Sequence, residues 1–166
     1  MNWPRFAILL VIITLGQASF VDAIAISDIK PDFLLVLLVF FAIYASPMDA
    51  IITSFIIGFA ADIALGTTLG PRIIAFGLFG TLLSNLNCVI AIRRFQFQSL
   101  AIFVTGLLAG IVVWILTLLR RQPLGIGVWT LLFGVPLYSA AVGPLLFIPS
   151  AWWMSIKTHR FSKQPL

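Results

Sequence analysis

The feature that most constrains this chain is a series of long apolar runs, separated by short stretches that hold nearly all of its charge. The runs cover about 6–26, 33–45, 50–65, 73–92, 100–119 and 129–154. A helix needs about 20 consecutive apolar residues to cross a hydrocarbon core about 30 Å thick. Hydrophobic residues make up 61% of the 166 and charged residues only 9%, too little polar surface to coat a soluble domain. A chain of this length cannot bury so much apolar surface within itself, so much of it must face lipid. The expected architecture is all-α: a polytopic membrane protein, with a bundle of about six transmembrane helices over 1–154 as one domain. A basic cytoplasmic tail over 155–166 follows it.

The punctuation between runs carries its own information. The first run follows Arg5 and superficially resembles a signal peptide, but no good small-residue cleavage site precedes Phe20, Val21 and Asp22. It reads as a retained helix, polar at its far end through Gln17 and Asp22. Lys30 precedes a proline and is biased away from helix, while Pro31 suits the first turn of the second helix. The second run is short for a span. It and the third run form either two closely connected spans or two limbs of a hairpin that does not fully cross. We take the first reading, with Ser46 capping the third helix and Pro47 in its first turn. Gly66-Thr67-Thr68-Leu69-Gly70-Pro71-Arg72 is the clearest loop. In the sixth run, Pro136, Pro144 and Pro149 predict a kinked or broken helix.

Ten Lys and Arg stand against five acids, a formal net charge of +5. The basic residues occur singly and in pairs between apolar runs, with no basic face interleaved with aromatics, which excludes nucleic-acid binding. Flanking charge at a membrane surface explains them better. With six spans and the N-terminus inside, Arg5, Arg93, Arg94, Lys157, Arg160 and Lys163 fall inside; Lys30, Arg72, Arg120 and Arg121 fall outside. Six against four favours cytoplasmic termini. Trp3, Trp114, Trp129, Trp152 and Trp153 fall mostly near predicted helix ends, as interfacial aromatics do.

Enzyme chemistry finds no support. His159 is the sole histidine and stands in the tail, and Cys88 is the sole cysteine, in an apolar run. No metal-ligand spacing, activated nucleophile or phosphate-cradling loop is present, and no cofactor is expected. Asp62 is the acid to watch. A carboxylate near a helix C-terminus inside a bilayer needs compensation, from Arg72 or from backbone N–H groups of the Gly66–Gly70 loop. It either pins that loop by hydrogen bonds or serves as a partner contact, cation site or proton site. The fourth run carries a small and polar stripe of Gly77, Gly80, Thr81, Ser84, Asn87 and Cys88, which suits close packing and interhelical hydrogen bonds. A polar cavity lined by Asn85 or Asn87 is the other reading. Gly106 and Gly110 form a GxxxG that would make a close contact, internal or with another protein.

One stretch is recognisable. Pro31-Asp32-Phe33-Leu34-Leu35-Val36 opens a hydrophobic helix, Gly58-Phe59-Ala60-Ala61-Asp62-Ile63 follows about one helix later, and Gly66-Thr67-Thr68-Leu69-Gly70 leads into the next. Over roughly 30–83 this resembles the rod shape-determining protein MreD family, and Pro31, Asp32, Gly58, Asp62, Gly66 and Gly70 carry the motif. Beyond 83 the resemblance rests on hydropathy, and the proline-rich sixth run has no counterpart. It implies a scaffold of the cell-elongation machinery in the bacterial inner membrane. Such a scaffold binds a single-span MreC-like protein and, through it, connects MreB-like filaments to the peptidoglycan synthases. It further implies a fold like that of the substrate-binding subunits of energy-coupling-factor transporters. An actual vitamin-binding subunit of that kind is the alternative function.

Overall fold

The computed structural model describes residues 2–19, 29–64, 70–89, 95–121 and 127–154, with side chains at 87–89 and at 95 and 96 left aside. They form α1 (Trp3–Ser19), α2 (Phe33–Tyr44), α3 (Pro47–Ala64), α4 (Pro71–Val89), α5 (Phe95–Leu119) and α6 (Val135–Trp153). A single π-helical turn, Thr130–Gly134, leads into α6. The chain is thus an all-α membrane protein. Pro47–Ala64, Phe97–Leu119 and Thr130–Trp153 are long and apolar enough to cross a bilayer, and Trp3–Ser19, Phe33–Tyr44 and Pro71–Leu86 are shorter apolar helical stretches.

Contacts between helix ends show an up-and-down bundle. At one end Gln17, Asp32, Asp62, Arg72 and Ser139 meet, and the Arg120 guanidinium lies against Gly70. At the other end Trp153 Nε1 donates to the Arg5 carbonyl at 3.2 Å, and Gln98 Nε2 donates to the Tyr44 hydroxyl at 2.9 Å. Each helix therefore runs opposite to the one before it.

α2 is the hub. Its twelve residues reach about 18 Å, well short of the bilayer core, and every residue from 34 to 43 is buried. A helix that is apolar on all faces belongs inside protein, not at a lipid boundary. Lipid is as apolar as leucine, so what holds such a helix is close packing and not expulsion from water. Small residues on the surrounding helices make room for its bulky side chains. A Cβ added to Gly106 on α5 would stand 2.7 Å from Leu35, and one on Gly80 of α4 would stand 2.9 Å from Leu38. On α6, a Cβ at Gly143 would come within 3.3 Å of Val36. Rings of Phe6, Phe40, Phe41 and Phe147 then meet edge-on at 5.0–5.4 Å between centroids, tying α1 and α6 to α2.

Three local expectations meet the structure differently. Ser46 caps α3 as expected: its hydroxyl accepts from the Asp49 N–H at 3.3 Å and donates to the Asp49 carboxylate at 2.9 Å. Pro31, however, lies outside α2, because Asp32 is the N-cap and Phe33 the first helical residue. The break in the sixth run comes before its first proline. Pro136 has no N–H, and its ring would strike the carbonyl of residue 132 in a regular α-helix. The wider π turn, in which the Val135 N–H reaches back to the Thr130 carbonyl, relieves that clash. From there α6 continues through Pro144 and Pro149.

Candidate functional site

Two close approaches bring the polar groups of one bundle end together. Gly58 sits against the backbone of α4, where a Cβ would lie 2.8 Å from the Ile73 Cα and 2.9 Å from the Arg72 carbonyl oxygen. Asp62 follows one turn later on the same face of α3, so the absence of a side chain at 58 delivers the carboxylate to the start of α4. Gly70 supplies the turn, with φ +125°, a conformation open to glycine and strained for L side chains.

Asp62 is 1% exposed. Its Oδ2 accepts from the Gly70 N–H at 2.7 Å and the Ile73 N–H at 3.3 Å, and its Oδ1 accepts from the Arg72 N–H at 3.2 Å. These are the orphan donors of the first turn of α4, and Pro71 between them has no N–H to satisfy. A carboxylate from the end of one helix thus caps the next. The unfavourable dipole of the α3 C-terminus is opposed by the favourable one at the α4 N-terminus.

Asp32 does two tasks. Its Oδ1 accepts from the Leu35 N–H at 3.0 Å, capping α2, and its Oδ2 accepts from Arg72 Nη1 at 2.9 Å. The ion pair is nearly enclosed, with side chains 12% and 8% exposed for Arg72 and Asp32. The Asp32 N–H donates to Ser139 Oγ on α6 at 2.8 Å. Gln17 on α1 grips the same chain segment from both sides: its Nε2 donates to the Pro31 carbonyl at 3.1 Å, and its Oε1 accepts from the Phe33 N–H at 2.8 Å. One polar cluster therefore joins α1, α2, α3, α4 and α6.

Among the compensating groups expected for Asp62, the Gly70 N–H takes that role and the Arg72 side chain does not. The guanidinium turns to Asp32, while Arg72 serves Asp62 through its backbone. Gly66 lies outside the described residues. Gly77 abuts the Phe55 ring and Gly80 abuts Ser54, so the α4 stripe packs on α3. The expected interhelical hydrogen bond from Thr81 is absent, because its hydroxyl donates to the Gly77 carbonyl of its own helix at 2.7 Å. Ser84 is buried and Asn85 is exposed, so Asn85 lines no internal cavity. The side chains of Asn87 and Cys88 lie outside the described residues. Gly106 and Gly110 face inward: a Cβ at Gly110 would meet the Leu131 carbonyl oxygen of the π turn at 3.3 Å, and one at Gly106 would meet Pro136 as well as Leu35.

Sequence reasoning missed the roles of Gln17, Ser139 and Gly143. Gln17 and Ser139 are polar residues inside apolar runs, which is the signal that could have marked them. A cavity of about 30 Å³ lies beside the ion pair, lined by Asp32, Arg72, Gly106 and Gly110 among others. It has room for about one water. No group of three or more His, Cys, Asp or Glu placed to hold a metal ion occurs among the described residues.

A family model for the rod shape-determining protein MreD matches residues 1–125, a stretch that includes α1 to α5 and both carboxylates of the cluster. No curated protein and no solved structure matches.

Proposed function

The chain belongs to the rod shape-determining protein MreD family, and from that premise we propose that it is a scaffold of the elongation machinery in the bacterial cytoplasmic membrane. In this reading it binds an MreC-like single-span protein. Through that partner it helps couple MreB-like filaments to the peptidoglycan synthases. Both termini face the cytoplasm, and the tail at 155–166 lies on that side. The protein performs no catalysis of its own.

The observation that supports this most is how the internal polar groups are used. Asp62 is taken up by three backbone donors, Asp32 by a cap and a guanidinium, and Gln17 by two backbone groups. Their hydrogen bonds hold helices in place, which leaves the outward faces as the working surface. Those faces are broad and apolar, with Ile12 and Leu15 on α1, Phe55 and Phe59 on α3, and Leu78 and Leu82 on α4 all exposed. Pro31, Asp32, Gly58, Asp62, Gly66 and Gly70 act here as determinants of the fold that presents this surface. The bundle would share the architecture of vitamin-transporter substrate subunits without carrying their cargo. The cavity enclosed at the ion pair, at about 30 Å³, is far below the roughly 300 Å³ at which small-molecule pockets begin, and the larger space of about 420 Å³ beside Tyr44 and Asp49 lies at the opposite bundle end and opens to the surface.

Depleting the protein from a rod-shaped host tests the reading. Cells should widen or round within a few generations while growth on vitamin-free medium is unaffected. Normal shape with a new vitamin requirement would instead assign the chain to a transporter.

A further inference from the structure

The bundle is flush at one end and stepped at the other. At the flush end the Tyr44 hydroxyl at the close of α2 meets Gln98 near the start of α5, and Trp153 at the close of α6 meets Arg5 near the start of α1. From there the helices rise by different amounts. Gly106 of α5 packs beside Leu35 of α2, and α2 stops about 5 Å beyond that level, at its Asp32 cap. α5 continues to Leu119, about 20 Å beyond it. On α6, Ser139 stands beside Asp32, and the path from there back to Thr130 adds about 13 Å. The end of α3 and the start of α4 join the layer of Asp32 through Asp62 and Arg72. With the reach of the Arg72 side chain allowed for, α5 and the π turn stand about 10 Å above the turn into α4. The Arg120 guanidinium reaches across this step to Gly70.

The projecting parts are apolar outside, with Ile115, Leu118 and Leu119 on α5 and Phe133 on the π turn exposed. Such surfaces belong in hydrocarbon, and the exposed Arg121 and Trp129 mark their ends as interfacial residues do. The tall side, Phe97–Leu119, measures about 34 Å and fits a bilayer core of about 30 Å. The side made by α3 and α4 does not. Its outward apolar residues, among them Ile52, Phe59, Ile74 and Leu78, lie between the Ser46–Asp49 turn and the layer of Asp62, Gly70 and Arg72. From Asp49 to Asp62 α3 rises only about 20 Å. A bilayer meets a short apolar surface by thinning.

We propose that the leaflet at the polar-cluster end thins beside α3 and α4, so that this face gathers lipids of shorter acyl chain than the α5 face does. The occupant of the face is lipid, selected by length. The proposal does not depend on which partner the bundle binds.

The test uses the full chain with Cys88→Ser, reconstituted in vesicles of 18-carbon phosphatidylcholine and carrying a fluorophore at Leu78→Cys on α4 or at Ile115→Cys on α5. Both positions are exposed, so neither substitution disturbs the core. Brominated phosphatidylcholines with 14-carbon or 22-carbon chains then compete to quench the label. The short-chain lipid should be favoured about three-fold at Leu78→Cys, a modest selectivity of the size mismatch produces, and should have no advantage at Ile115→Cys. A second readout needs no fluorophore. Ile74→Cys should react with a water-soluble maleimide faster than Ile115→Cys, although it lies nearer the middle of the bundle. Equal lipid preference at the two faces, or the reverse order of maleimide rates, would overturn the proposal. Quenching at Ile115→Cys but by neither lipid at Leu78→Cys would also overturn it, and would mean that another protein surface covers α4.

Discussion

Asp62→Leu is expected to cost on the order of 4 kcal/mol in detergent thermal stability, enough to leave little folded protein. The side chain is almost completely enclosed and accepts from three backbone N–H groups. Leucine would fill the space but leave those donors without an acceptor, at roughly 1–3 kcal/mol each before relaxation. Asp62→Asn keeps one acceptor oxygen and loses the charge that opposes the α4 dipole, so its cost should be about 1–2 kcal/mol. The order of the two variants carries the information. A membrane site used only for a partner, cation or proton would tolerate leucine in the purified protein. Equal and negligible shifts in the thermal midpoint would remove the capping role.

A second large effect is expected at Arg72. Arg72→Leu leaves the Asp32 carboxylate nearly buried beside α2 with its guanidinium gone, a change that costs about 3–5 kcal/mol where such pairs have been broken. Removing both charges, as Asp32→Asn with Arg72→Gln, should recover a good part of this loss, since asparagine still caps a helix. Exchanging them, as Asp32→Arg with Arg72→Asp, should not. Asp32 also accepts from the Leu35 N–H, and an arginine there has no acceptor to offer. Thermal midpoints and accumulation in the membrane measure all three. A stable exchange variant would mean that the pair matters only as charge and that the cap does not.

What the sequence disclosed follows from the range of the forces involved. Run lengths and punctuation are local, so the six helices, the Ser46 cap and the glycine turn before α4 could be read directly. Asp62 stood out because an acid in such a run must be compensated, and the loop N–H groups were within reach of the chain. The partner of Arg72 was not legible. Asp32 is 40 residues away, and only packing brings α2 and α4 side by side. Ser139 is further still, 107 residues from Asp32. Nor could the enclosure of α2 be read with certainty from its own composition. An all-apolar run of its length fits a short span as well as a hub, and the difference lies in Gly80, Gly106 and Gly143 on three other helices. The displaced break in the sixth run is a subtler case. Three prolines announced a distortion, but the helix widened ahead of Pro136 and then accommodated the other two.

The central claim is that this bundle works through its surfaces as a member of a shape-determining assembly. The most direct test is a mild-detergent pull-down of the tagged protein from its own host, read by mass spectrometry. The account predicts recovery of an MreC-like single-span protein together with wall synthases, and retention of both when the eluate is washed at moderate salt. Recovery of ATPase subunits with a membrane coupling protein, and no MreC-like partner, would contradict it.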